Sequence, residues 1–66
     1  MTKEQLLPYL GKKVKVLVEH ENKQKHGILE RFDTTLSSWW GERECIVLAQ
    51  NKRKVAIVLK YIQAIN

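Results

Sequence analysis

Val14, Val16 and Val18 alternate with Lys13, Lys15 and Leu17. That period of two predicts a strand with one buried face and one mostly basic face. Residues 21–25 offer nothing to a core and read as a hairpin tip, after which the chain returns through residues 26–32. Gly27 lies within that return strand and predicts a bulge or a sharp bend. Residues 45–49 and 55–59 are apolar on both faces, which calls for strands covered from two sides. The polar stretch 51–54 separates them as a turn, and residues 61–65 form a last short strand after a bend near Lys60. Ahead of the strands, Thr2 and Gln5 have capping-box spacing. Leu6, Leu7 and Leu10 supply an apolar helix face, and Gly11 is a stop. Pro8 removes a helical hydrogen bond, so the helix is one or two turns, or two turns with a break.

This order of elements predicts an all-β small barrel of about five antiparallel strands with a short N-terminal helix, residues 1–66 forming one domain. Val14, Val16, Val18, Leu29, Phe32, Val47, Ile57 and Ile62 are the expected core. Truncating Phe32 to Ala should cost roughly 3–5 kcal/mol. A chain of 66 residues buries too little surface for comfort, and oligomerisation often supplies the rest. The apolar strands at 45–49 and 55–59 are expected to pair edge to edge between subunits through one or both of them.

Charge narrows the partner. Twelve Lys and Arg against seven Asp and Glu give +5 and a pI near 9.6, favouring nucleic acid first and an anionic membrane surface second. The longest apolar runs, 55–59 and 45–49, are far too short to span a membrane. The first ten residues lack a signal-peptide pattern. The single cysteine, Cys45, excludes an internal disulfide or a cysteine-rich zinc cluster and points to a reduced, cytoplasmic setting.

Catalytic chemistry is thin. Asp33 is the only aspartate, with a structural capping role as plausible as a functional one. His20 and His26 flank the hairpin tip beside Glu19 and Glu21, but two histidines without a third strong ligand fall short of a metal site. Cys45 opens an apolar strand with no histidine placed to activate it, so it reads as a buried, inert thiol. There is no glycine-rich phosphate loop. The chain is therefore read as a non-enzyme with no cofactor.

The basic residues carry the functional signal. Lys12, Lys13 and Lys15 cluster at the first strand, Lys23 and Lys25 at the hairpin tip, and Lys52, Arg53 and Lys54 at the later turn. Phosphate contact from these, with stacking from Trp39, Trp40, Tyr61 or Phe32, is the combination used for single-stranded nucleic acid. The competing reading is a solvated basic surface that blunts strand edges. Trp39 and Trp40 are adjacent, so in an extended chain they face opposite ways. Either both pack, or one lies at a subunit contact or binding surface.

The short helix, the stretch Gly11-Lys12-Lys13-Val14-Lys15-Val16 and the run Gly27-Ile28-Leu29-Glu30-Arg31-Phe32-Asp33 resemble the first motif of the Sm, Lsm and Hfq family, with its Gly-x-Leu-x-x-Phe-Asp core. Residues 55–65 are similar to that family's closing strands, Ile62 and Ile65 matching its Ile-x-x-Ile. The resemblance implies a small Sm-like barrel, of the type shared with Src-homology domains, that binds RNA as a homo-oligomer, a ring among the forms open to it. It places Asp33 at a turn that often touches RNA. Ser37 stands where the family carries the Asn of its RNA-binding loop. Val58 and Leu59 stand where Sm and Lsm proteins carry Arg-Gly. Val58, Leu59 and Lys60 replace the Tyr-Lys-His of Hfq, leaving Lys60 to meet a phosphate or base. Residues 34–44 are longer than the family's usual connection. The candidate nucleic-acid contacts are thus Lys12, Lys23, Lys25, Asp33, Ser37, Trp39, Trp40, Lys52, Arg53, Lys54 and Lys60. The valine strands, the central glycine and the closing Ile-x-x-Ile are also similar to YolD-like proteins. That likeness implies the alternative, a protein-interaction or regulatory module.

Overall fold

The computed structural model describes residues 1–19, 21, 23–37 and 41–66 (the backbone alone for 35–37). The first element is α1 (Lys3–Leu6). The Thr2 hydroxyl accepts from the Gln5 N–H at 3.3 Å, and the Gln5 carboxamide accepts from the Thr2 N–H at 2.9 Å. Pro8 does not extend this helix. It sits in a separate 3-10 turn, Leu7–Tyr9, where its missing N–H costs nothing. The change of helix type alters which side chains face inward. Leu6 is fully buried and Tyr9 packs on the core, but Leu7 and Leu10 remain 48% and 45% exposed. The expected Leu6–Leu7–Leu10 face is therefore only one leucine deep. Gly11 ends the segment at φ +81°, and its N–H donates to the Leu29 carbonyl at 2.7 Å.

Five antiparallel strands follow: β1 (Lys13–Val18), β2 (Lys25–Ser37), β3 (Gly41–Ala49), β4 (Lys54–Val58) and β5 (Ile62–Ile65). They form one sheet in the order β4-β3-β2-β1-β5. The sheet is open, with β4 and β5 at its edges. A 3-10 turn, Leu59–Tyr61, joins those two strands at the bend expected near Lys60. Side chains from both edge strands, Ile57 and Ile62, share one core with Val14, Val16, Val18, Leu29, Ile46 and Leu48, and Leu6 of α1 joins them.

The valine alternation in β1 holds residue by residue. Cys45 through Leu48 are buried on both faces of β3. Val47 is buried on the face opposite Ile46, between Arg31 and Ala56 in register. β4 departs from expectation, because Ala56 is exposed and Val55 and Val58 are only half-buried. Residues 45–49 of β3 are paired with β2 on one side and β4 on the other, which removes them from the expected intersubunit pairing. β4 keeps a free edge.

β2 and β3 also run further than the hydrophobic pattern implied. Thr34 pairs with Glu44, Thr35 with Arg43, Leu36 with Glu42 and Ser37 with Gly41. The stretch read as a long connection is thus mostly ladder, formed by backbone pairing of 34–37 with 41–44. Gly27 is not a bulge, since its pairing with Val14 is regular. The irregularity falls instead between Leu29 and Arg31. Phe32 is half-buried rather than buried, packed against the core edge. Among the described residues no helix is long and apolar enough to cross a membrane.

Candidate nucleic-acid interface

The surface hollows differ in charge. A groove of about 660 Å³ lies between the start of β2 and the β3–β4 turn. It is lined by Lys25, His26, Lys52 and Arg53, with Gln24, Gln50, Asn51 and Val55, and none of these side chains is acidic. A second hollow of about 630 Å³ is lined by Lys13, Lys15 and His26, with Val14, Gly27 and Asn66. His26 belongs to both, and in register it stands opposite Lys15. The two hollows thus join into a basic band running from β1 across β2 to the β3–β4 turn.

The band is built by strand geometry. Alternation puts Lys13 and Lys15 outside while Val14 and Val16 fill the core. At the other end, Gln50 ties the turn to β2. Its Nε2 donates to the His26 carbonyl at 2.9 Å, and its Oε1 accepts from Arg53 Nε at 3.0 Å. Its backbone N–H donates to the Arg53 carbonyl at 2.8 Å. Gly27 makes room for this arrangement. A Cβ there would stand 2.7 Å from the Ala49 carbonyl oxygen and 3.4 Å from Gln50 Cγ.

Among the described residues three of the sequence candidates line the basic groove: Lys25, Lys52 and Arg53. Lys25 also faces Glu21 at 3.5 Å. Lys54 is drawn to Glu30 at 3.0 Å, and Arg31 binds the same carboxylate. The hydrogen bond from Lys54 is the main reason the Glu30 carboxyl is held below its usual range, with the charges of Lys54 and Arg31 adding to it. Lys12 and Lys23 are exposed but line neither basic hollow.

Two of the positions carried over from the family resemblance lie in hollows of mixed charge. Lys60 lines one with Glu4, Glu42 and Glu44 on the acidic side and Lys3 and Arg43 on the basic side. Asp33 shares another with Glu44 and Lys3. Asp33 Oδ1 accepts from the Thr34 N–H at 2.8 Å, and Oδ2 lies 3.4 Å from Arg31. Asp33 lies within β2, paired with Cys45, and not at the turn that the resemblance implied. Ser37 pairs through its backbone with Gly41. Trp39, Trp40 and His20 lie outside the described residues.

Of the other stacking candidates, the Phe32 ring lies under Lys3, 5.3 Å from its centroid, while Tyr61 is 40% exposed. Among the described residues no three His, Cys, Asp or Glu side chains gather into a possible metal site. Cys45 is buried, and burial pushes its thiol up, with Asp33 adding to the shift.

His26, Gln24, Gln50 and Asn51 enter the interface without having been singled out, and Lys13 and Lys15 enter it from the basic cluster although the final set of contacts omitted them. Alternation could have separated the outward Lys13 and Lys15 from the inward valines. Placing His26 between Lys15 and the β3–β4 turn requires the strand register. Among known proteins no family model, no curated protein and no solved structure matches this chain.

Proposed function

We propose that this chain is a non-catalytic nucleic-acid-binding module, with single-stranded RNA its favoured ligand, working as a homo-oligomer in a cytoplasmic setting where Cys45 stays reduced. The observation that carries the reading is the basic band of Lys13, Lys15, His26, Lys25, Lys52 and Arg53, whose lining holds no carboxylate side chain. A merely solvated surface of mixed charge has no reason to keep acidic side chains out of two hollows that share His26 while admitting them to two others. Carboxamides beside the cations suit a ligand that alternates phosphates with hydrogen-bonding bases. The curled sheet is read as a small Sm-like barrel left open between β4 and β5. The unpaired backbone of β4 offers a second copy somewhere to add a strand.

Exposed Leu7, Leu10, Ile28 and Tyr61 favour a second reading, a protein-interaction module on the same fold. Titration of labelled oligouridylate across a salt series separates the two. Binding should weaken steeply with salt, each neutralised phosphate contributing about −0.7 to the log–log slope. Lys52→Glu with Arg53→Glu should flatten that slope. No binding at low salt by the folded protein defeats the RNA reading and leaves the protein-interaction module.

A further inference from the structure

Gln50 occupies a place that the groove's charge alone does not explain. It is neutral and half-buried, and both ends of its carboxamide are engaged: Nε2 on the His26 carbonyl, Oε1 on Arg53 Nε. Its methylene chain passes beside Gly27, where any side chain would crowd Gln50 Cγ and the Ala49 carbonyl. Arg53 is exposed and lies in a short turn, where a long side chain would otherwise sample many rotamers.

We propose that Gln50 is a positioning residue for a phosphodiester subsite, fixing the Arg53 guanidinium so that its Nη1 and Nη2 edge meets a phosphate of the bound strand between Lys25 and Lys52. The bond to Gln50 uses Nε, the donor nearest the chain. The outer edge of the planar fork is left for a ligand in the groove that Arg53 lines, and that edge can grip two phosphate oxygens at once. Lys25 and Lys52 act as point charges on the neighbouring phosphates. Gln50 contributes no charge and no ligand contact. It removes the ordering cost that Arg53 would otherwise meet on binding. This inference rests on the nucleic-acid reading above and adds to it the phosphate backbone as the recognised group.

The test is a double-mutant cycle read by titration of labelled oligouridylate and oligothymidylate over a salt series, with thermal melts to establish folding. Gln50→Met keeps the length of the side chain and its packing beside Gly27 but loses both hydrogen bonds. It should weaken binding about threefold to tenfold, the cost of ordering one long side chain, with the salt slope unchanged. Arg53→Ala should weaken binding and flatten the slope by about 0.7. In that background Gln50→Met should have no further effect. Arg53→Lys keeps the charge and loses the fork, so it should weaken binding at constant slope even if both Gln50 variants fail to fold. Gln50→Asn, one methylene shorter, serves the cycle where Gln50→Met does not fold.

The dependence must be the same for both oligonucleotides, since the contact is with phosphate rather than sugar or base. A parent that binds while Gln50→Met binds equally well overturns the inference and leaves the nucleic-acid reading standing. A full Gln50 effect in the Arg53→Ala background, or in one oligonucleotide only, also overturns it. A folded parent that binds neither oligonucleotide overturns both.

Discussion

Leu29 and Phe32 face the same core although they lie three positions apart in the chain. On a regular strand that spacing would send them to opposite faces. Here Leu29 pairs with Leu48 and Phe32 with Ile46, two residues apart on β3, because β2 carries one residue more than its partner between them. The extra residue turns Glu30 and Arg31 outward together, beside Lys54. The core register and the outer ion-pair cluster are consequences of one bulge.

The two residues should differ in cost when truncated. Leu29 is fully buried, so Leu29→Ala should lose about 2–5 kcal/mol. Phe32 is half-buried at the core edge, so Phe32→Ala should cost about 2–3 kcal/mol, below the usual range for a buried Phe. Urea unfolding of both variants ranks them. A larger loss for Phe32 than for Leu29 would contradict the packing described.

Gly27→Ala should destabilise although Gly27 has ordinary strand pairing. Its Cβ would meet the Ala49 carbonyl oxygen at 2.7 Å, and backbone must shift to admit it, at about 1–3 kcal/mol. A melting temperature equal to the parent's would show that the close approach is not real.

Cys45 should resist thiol reagents in the native protein. It is 1% exposed, and burial disfavours the reactive thiolate. Maleimide labelling should proceed only through unfolding and accelerate in urea in step with it. Rapid stoichiometric labelling without denaturant would place the thiol at the surface.

Glu30 should add an acid-sensitive contribution to stability. Its folded-state pKa lies below the unfolded value. The native chain therefore binds this proton less readily, and the contribution is present above the unfolded pKa and lost as pH falls through the folded one. Urea midpoints of the parent and Glu30→Gln should differ at neutral pH and converge in acid. A constant difference across the series would remove Glu30 from the account.

Pairing through the β4 edge should give a solution mass that is a multiple of 7.8 kDa by sedimentation equilibrium. A monomer at high protein concentration would sink the homo-oligomer proposal.

The elements whose pattern is local were legible in the order of residues alone. Val14, Val16 and Val18 declare a strand because successive residues on an extended backbone alternate sides. Thr2 and Gln5 declare a helix start because their side chains reach each other's N–H. Both outcomes depend only on neighbours in the chain. Tertiary structure decided where Leu10 points, once Pro8 had turned the helix into a 3-10 turn. It decided that β2 and β3 run on to Ser37 and from Gly41, where cross-strand backbone pairing extends the ladder. It also sorted the basic residues, bringing Lys25, Lys52 and Arg53 into one groove with His26, binding Lys54 to Glu30 and setting Lys60 in a hollow of mixed charge. Charges far apart in sequence become neighbours only through strand order and register, and one extra residue at Glu30 is enough to change which of them meet.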